Sequence, residues 1–464
     1  MITLTRRQAR DLRGIFRRSV LGIAHRGPIP PIVFSVESGR LRVRHHHAHL
    51  AVEHAAASAW PSGGSVALPL EALAEFEGRD EATVALDPAS PERTVARWSD
   101  RGIPQFREYP ALASDGLGPF PESPRSWVEA PACLLDALAE ATATAAEVDT
   151  RYALSSLALR GSAGSIAATD GHQILIQGGF EFPWDGDVLV GRSPLFACRD
   201  LPRDRPISIA KTDSHVALRV GPWTIWLEVL TDLRYPDVDR ILPGSNDALT
   251  RWQIDPGDAR FLLDSLGRLP GAEETNAPAT IDLNGRIAVR AKAVGDGHAT
   301  ELVLSRSVYT GPPVRLQTNR EFLGRAIRLG FSEVEVVDAE SPLVCRDQRR
   351  VLAWQPLSGE SALGPSEDVV RIESPPAIVV VPEVANDRIP LPRQTDKVEP
   401  AQDRDGTGLP ALIREAESIH RALGEARSRS QKLVVALRRQ RKQARLVAAT
   451  LDSLRQLRLR EVAG

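Results

Sequence analysis

Cysteine is scarce in this 464-residue chain: Cys133, Cys198 and Cys345 are odd in number, far apart and free of any Cys-x-x-Cys spacing. That excludes a disulfide framework and a zinc ribbon and fits a reducing compartment. No stretch approaches the ~18 consecutive apolar residues of a membrane helix, and the Arg-rich N-terminus lacks the apolar core of a secretory signal. The expectation is a cytoplasmic protein. A large excess of one charge is also missing, since the formal net charge is −2. The balance is uneven, however: from Leu409 onward thirteen Lys/Arg face five Asp/Glu, so the tail carries +8 and the 408 residues before it −10. At this length one core is not enough, and about three domains of roughly 100–150 residues are expected, with appendages.

Residues 151–177, RYALSSLALRGSAGSIAATDGHQILIQ, read as a hairpin followed by a tight Asp170-Gly171 reversal, with a period-two apolar pattern resuming at Ile174 and Ile176. Residues 4–20 predict a helix with Leu12, Ile15 and Phe16 on its apolar face and Arg6, Arg10, Arg13 and Arg17 opposite. Strands follow at PPIVFSVES and LRVRHHHAHLAVEH, then a short helix near 70–76 and further strands. The order returns after a helix at 130–147, and again after one at 256–269, where Asn284-Gly285 marks a hairpin and Thr318 with Glu321 suits a capping box. Helix, hairpin, strand, helix and strands three times over, at about 120 residues, is an internal triplication. The fold class expected is α+β, with domains at 1–121, 122–245 and 246–357.

Residues 358–407 hold seven prolines and one apolar island, AIVVVPEV, and read as mainly linker, with the island as a candidate extra edge strand. Residues 408–464 show a seven-residue repeat from Leu412 through Ile419, Ala426 and Leu433 to Leu454, a coiled-coil or helical-hairpin seam. Arg438, Arg439, Arg441, Lys442 and Arg445 give this tail a basic surface without interleaved aromatics, so any nucleic-acid binding there is electrostatic and unspecific.

The triplicated order, ATDGHQILI at 168–176, RYPDVDRILP at 234–243 and VLAWQPL at 351–357 together resemble the bacterial sliding clamp, the beta subunit of DNA polymerase III. The resemblance covers about residues 1–357. It implies a non-catalytic processivity factor: a head-to-tail homodimer ring around double-stranded DNA, with helices lining the hole, no cofactor and no catalytic residue. It further implies a clamp loader, and polymerases and other partners that insert a short linear peptide between the second and third domains. Carried over by motif, that pocket uses Arg151, Leu154, Thr169, Gly171, His172, Gln173, Ile174, Pro236, Arg240, Ile241, Pro356 and Leu357. The DNA-facing set is Arg6, Arg10, Arg13, Arg17, Arg26, Tyr152, Arg325 and Arg328.

Three departures accompany the resemblance. The helix at 130–147 carries Asp136, Glu140 and Glu147 opposite its apolar face, the wrong sign for a DNA lining. Trp354-Gln355-Pro356-Leu357 stands where the family tends to offer methionine, and the chain runs on for 107 residues more. These features motivate an alternative, a clamp-like protein-binding scaffold that is not the replicative ring. The cluster His45, His46, His47, His49 and His54 invites a metal reading, but adjacent ligands on one strand do not easily wrap a tetrahedral ion, and the simpler expectation is a polar edge strand.

Overall fold

Thr5 ends a strand, Ile2–Thr5, and opens helix α1, Arg6–Ser19. Its Oγ1 accepts the Gln8 N–H at 3.1 Å while Gln8 Oε1 accepts the Thr5 N–H at 2.8 Å, a reciprocal capping box. The computed structural model describes residues 1–21, 29–58, 64–90, 92–112, 119–148, 152–295 and 298–376. The predicted coiled-coil tail, the apolar island and the linker beyond 376 lie outside the described residues, as do Arg26 and Arg151. Four further helices are α2 (Leu73–Phe76), α3 (Leu134–Thr144), α4 (Pro256–Ser265) and α5 (Arg320–Arg328). At the head of α5 the predicted Thr318–Glu321 box does not form. Asn319 Oδ1 takes the Glu321 N–H instead, because Thr318 Oγ1 accepts the buried indole N–H of Trp354 at 2.9 Å.

The strands build three antiparallel sheets and one mixed sheet with helices packed against them, an α+β architecture. Two sheets bridge successive repeats. In an eight-stranded sheet, Leu50–Ala57 pairs with Trp223–Glu228, placing Val52 opposite Ile225. In a nine-stranded sheet, Gln173–Gly178 pairs with Arg350–Trp354, placing Ile174 opposite Ala353. The remaining two are a four-stranded sheet ending on Ile103–Pro110 and a five-stranded sheet ending on Val369–Glu373. One core joins the first two repeats, including Leu12 and Phe16 of α1, Leu134 and Leu138 of α3, and Ile225; a second core fills the third repeat. Burial of this apolar surface is the main favourable term for the fold.

Residues expected to be linker contribute structure: Val369–Glu373 pairs with Ala299–Leu304, the one parallel pair among the described strands. The strand completes a row of largely buried charges on the face of the five-stranded sheet opposite the core. Arg315, Asp282, Arg290, Glu301 and Arg371 follow one another from strand to strand, with Arg371 Nε 2.6 Å from Glu301. Burial alone would raise the Glu301 carboxyl, but the guanidinium groups of Arg371 and Arg290 hold it below its ordinary value.

The histidine-rich strand Arg40–His47 is not an edge strand. It lies between Ile32–Glu37 and Leu50–Ala57, and the alternation of side chains turns His45 and His47 into the core at 1% and 2% exposure. His45 packs 5.9 Å from the Phe16 ring, and His54 lies 4.6 Å from Trp223. Burial lowers both imidazoles from 6.5 to about 4, with the neighbouring His47 adding to the effect on His45. Because the unfolded chain binds these protons near pH 6.5 and the native state does not, their contribution to stability is complete above that pH and declines as pH falls toward 4. The slope is about 1.4 kcal/mol per pH unit for each histidine. Urea midpoints measured from pH 7.5 to 5 should therefore drop, and His54→Gln should flatten the decline by close to one proton; a flat wild-type profile would refute this account.

Candidate peptide pocket and basic groove

The Asp170-Gly171 reversal is held from both sides. Asp170 Oδ1 accepts the N–H groups of His172 and Gln173 at 2.8 and 2.9 Å, and Thr169 Oγ1 accepts the Gly171 N–H at 3.0 Å. Gly171 has φ +92°, which favours glycine, and its Cα faces the Leu154 side chain. The turn thus sits at the end of the strand that carries the seam between the second and third repeats, and the Gln355 N–H donates to the His172 carbonyl across that seam at 2.9 Å.

A cavity of about 230 Å3 opens there, lined by Tyr152, Leu154, Thr169, Gly171, His172, Ile174, Pro236, Val238, Ile241, Pro342, Ala353, Trp354 and Gln355. It is below the ~300–1,000 Å3 of small-molecule sites, an anchor slot with a mainly apolar floor and a few polar groups on its rim. The segment bearing Pro236, Val238 and Ile241 is fastened by the Tyr235 hydroxyl, which donates to the Ala167 carbonyl at 3.1 Å, and by Arg160, 3.0 Å from Asp239. Trp354, 1% exposed, is fixed by its indole bond to Thr318.

Seven residues expected from the motifs line this slot: Leu154, Thr169, Gly171, His172, Ile174, Pro236 and Ile241. Gln173 lies behind it, its amide nitrogen on Asp170 and its amide oxygen taking the Arg325 guanidinium at 2.9 Å. Arg240 points to solvent and pairs with Asp237. Pro356 is buried and the Leu357 N–H donates to the Gln317 carbonyl, so both are drawn toward the third repeat and leave the wall to Trp354, Val238 and Pro342. Val238 and Trp354 lie inside the motifs at 234–243 and 351–357, where sequence reasoning takes their neighbours instead, whereas Pro342 comes from a turn outside every motif.

The DNA-facing set divides as well. Arg6 is 8% exposed, bound to Asp80 and Asp100 at 2.9 Å each and to the Glu77 carbonyl, so it secures the first repeat and is not available to phosphate. Arg325 is likewise engaged: it donates to the Glu140 carbonyl and to Thr144 Oγ1 at 2.9 and 2.7 Å, and burial lowers its pKa. It ties α5 to α3. Tyr152 lines the pocket, and the Arg234 guanidinium lies 5.6 Å from its ring. Arg10, Arg17 and Arg328 are exposed, while Arg13 is half-buried on Glu77.

Arg10, Arg13 and Arg17 line a groove of about 920 Å3 with Arg18, Arg79 and Arg199, against Asp11, Glu77 and Asp200. Arg18 was legible as the neighbour of Arg17; Arg79 and Arg199 come from remote turns. The helix expected over 130–147 spans only Leu134–Thr144, so Glu147 lies beyond it and is exposed, and the acidic face of α3 itself is partly neutralised, Asp136 by Arg203 and Glu140 by Arg325 at 3.5 Å.

Three helix-and-hairpin repeats joined through shared sheets, with an apolar slot on the second seam, define the fold of bacterial sliding clamps. Among solved structures, the chain is similar to the DNA polymerase III subunit beta of Pseudomonas aeruginosa, with a TM-score of 0.65 at 16% identity over 77% of this chain and 99% of that one. It is also similar to the beta subunit of Thermotoga maritima, TM-score 0.63 at 15% identity, and to a putative beta subunit of Eubacterium rectale, TM-score 0.64 at 15%, each over the same shares of the two chains. No protein-family model matches the sequence, and no curated protein matches it. No helix among the described residues is long and apolar enough to cross a membrane.

Proposed function

We propose that this chain is a non-catalytic DNA sliding clamp: it closes as a head-to-tail dimer around duplex DNA and tethers a polymerase and other DNA-processing proteins by short linear peptides. A clamp loader opens the ring. The observation that carries the reading is the slot on the seam between the second and third repeats, where an apolar floor of Leu154, Ile174, Val238, Ile241 and Trp354 is rimmed by His172 and Gln355. A slot of this kind captures one or two anchor side chains of an extended peptide, and burial of those anchors supplies most of the affinity. The groove bearing Arg10 and Arg17 supports the DNA part, since phosphate neutralisation supplies sequence-independent affinity.

The test is binding of a fluorescent peptide carrying adjacent aliphatic and aromatic side chains. The reading expects saturable, salt-insensitive binding with Kd on the order of micromolar, about 8 kcal/mol, and loss of binding when the anchors become alanine. Anchor-independent binding would contradict it. The scaffold reading, in which the pocket holds partners without a DNA ring, draws on the engagement of Arg6 and Arg325 inside the body.

A further inference from the structure

Among the described sheet-ending strands, two each hold two large apolar side chains in solvent. Ile103–Pro110 closes the four-stranded sheet, with Ile103 63% and Phe106 71% exposed; Val369–Glu373 closes the five-stranded sheet, with Val370 57% and Ile372 45% exposed. Native proteins ordinarily blunt such edges with charge or cover them, because the unpaired backbone groups are a template for another strand. The opposite ends of these sheets differ: Ile2 and Leu4 are buried, and the Gln317 carbonyl is taken by the Leu357 N–H.

The strand Val369–Glu373 is built into the body. It holds register from Val369 opposite Ala299 to Glu373 opposite Val303, Arg371 binds the buried Glu301, and Ser374, 3% exposed, donates its N–H to the Val303 carbonyl and accepts the Ser305 N–H at its hydroxyl. The third repeat's own outer strand, Ala299–Leu304, is therefore not an edge.

We infer that the extension supplies the assembly edge: the outer side of Val369–Glu373 in one copy receives Ile103–Pro110 of a second copy, continuing the five-stranded sheet into the four-stranded one. This rests on the head-to-tail reading above and names the segment that makes the contact. The two edges are different surfaces of one body, so the contact is heterologous, and two copies whose rotation closes satisfy both edges of each. The charges are compatible. Residues 367–373 carry Glu367, Asp368 and Glu373 against Arg371, which Glu301 binds, whereas on residues 101–108 Arg107 is paired with Glu75 and Glu108 with Arg93, which leaves Arg101 to face the acidic edge. Val370 and Ile372 on one side, and Ile103 and Phe106 on the other, give the apolar area that a stable contact buries.

Sedimentation of the full chain across a dilution series tests this, using Phe106→Asp and Ile372→Asp, both at exposed positions and checked by thermal melting. The expected result is a dimer for the wild type, a dissociation constant at least roughly tenfold higher for each variant, and recovery of a singly joined dimer when the two variants are mixed. Should Phe106→Asp dissociate while Ile372→Asp and Val370→Asp associate like the wild type or more tightly, the contact bypasses the extension: the inference falls and the ring reading stands. Should the wild type be monomeric, or neither variant change the mass, both fall.

Discussion

Ile241→Asp should weaken binding of an apolar linear peptide by roughly 30-fold or more, about 2 kcal/mol, while leaving the thermal midpoint unchanged. Ile241 is 52% exposed and lines the slot, so a carboxylate there costs the fold little. It meets the anchor directly, and closing the slot over a charge removes that charge from water without a partner. Fluorescence anisotropy with the labelled peptide measures the loss. Arg240→Ala is the internal control: its side chain is 86% exposed and bound to Asp237, so affinity should change little. A pocket that binds equally well with Asp at 241 would show that the peptide goes elsewhere.

Arg290→Met should lower the free energy of unfolding by about 3–5 kcal/mol, the usual loss when one member of a buried ion network is removed. Arg290 bridges Asp282 and Glu301, and all three side chains are at most 4% exposed. Without it Asp282 keeps only Arg315, at 3.3 Å, and Glu301 keeps only Arg371. Denaturant titration measures the loss. A change below about 1 kcal/mol, the range of surface pairs, would mean that water reaches the site and that the row of charges does little to hold the added strand.

The local parts of this fold are legible in the chain. Period-two runs interrupted by Asp170-Gly171 and Asn284-Gly285 announce hairpins, and apolar residues at Leu12, Ile15 and Phe16 announce α1, because turn chemistry and helical spacing act over a few residues. Sheet membership is not local. That Val52 meets Ile225 and Ile174 meets Ala353 depends on pairings between segments some 170 residues apart, which no short pattern records. The pocket divides on the same line: Thr169, Gly171, His172 and Ile174 come with their turn, whereas which residues of 234–243 and 351–357 face the slot, and that Pro342 joins them, is set by the seam.

The arginines teach the same lesson about charge. Helical spacing puts Arg6 and Arg10 on one stripe, yet Asp80 and Asp100 claim the first and leave the second in solvent. Composition made 358–376 look like linker, with prolines and scattered charges. The strand at 369–373 follows from Glu301, a buried carboxylate on the neighbouring strand, which binds Arg371. The acidic face of α3 is offset in part for the converse reason, since Arg203 and Arg325 approach Asp136 and Glu140 from outside the helix.

The central claim is topological, and retention on closed DNA tests it most directly. The full chain is diluted to separate its copies, then concentrated in the presence of nicked circular duplex so that rings close around it, and passed through a gel-filtration column at high salt. Electrostatic contacts to phosphate weaken steeply with salt, whereas a closed ring stays linked. The account predicts that protein co-elutes with the circles and is released when a single cut linearises them. Equal loss from circular and linear DNA, by a chain that still binds the peptide, would contradict the clamp and leave a peptide-binding scaffold.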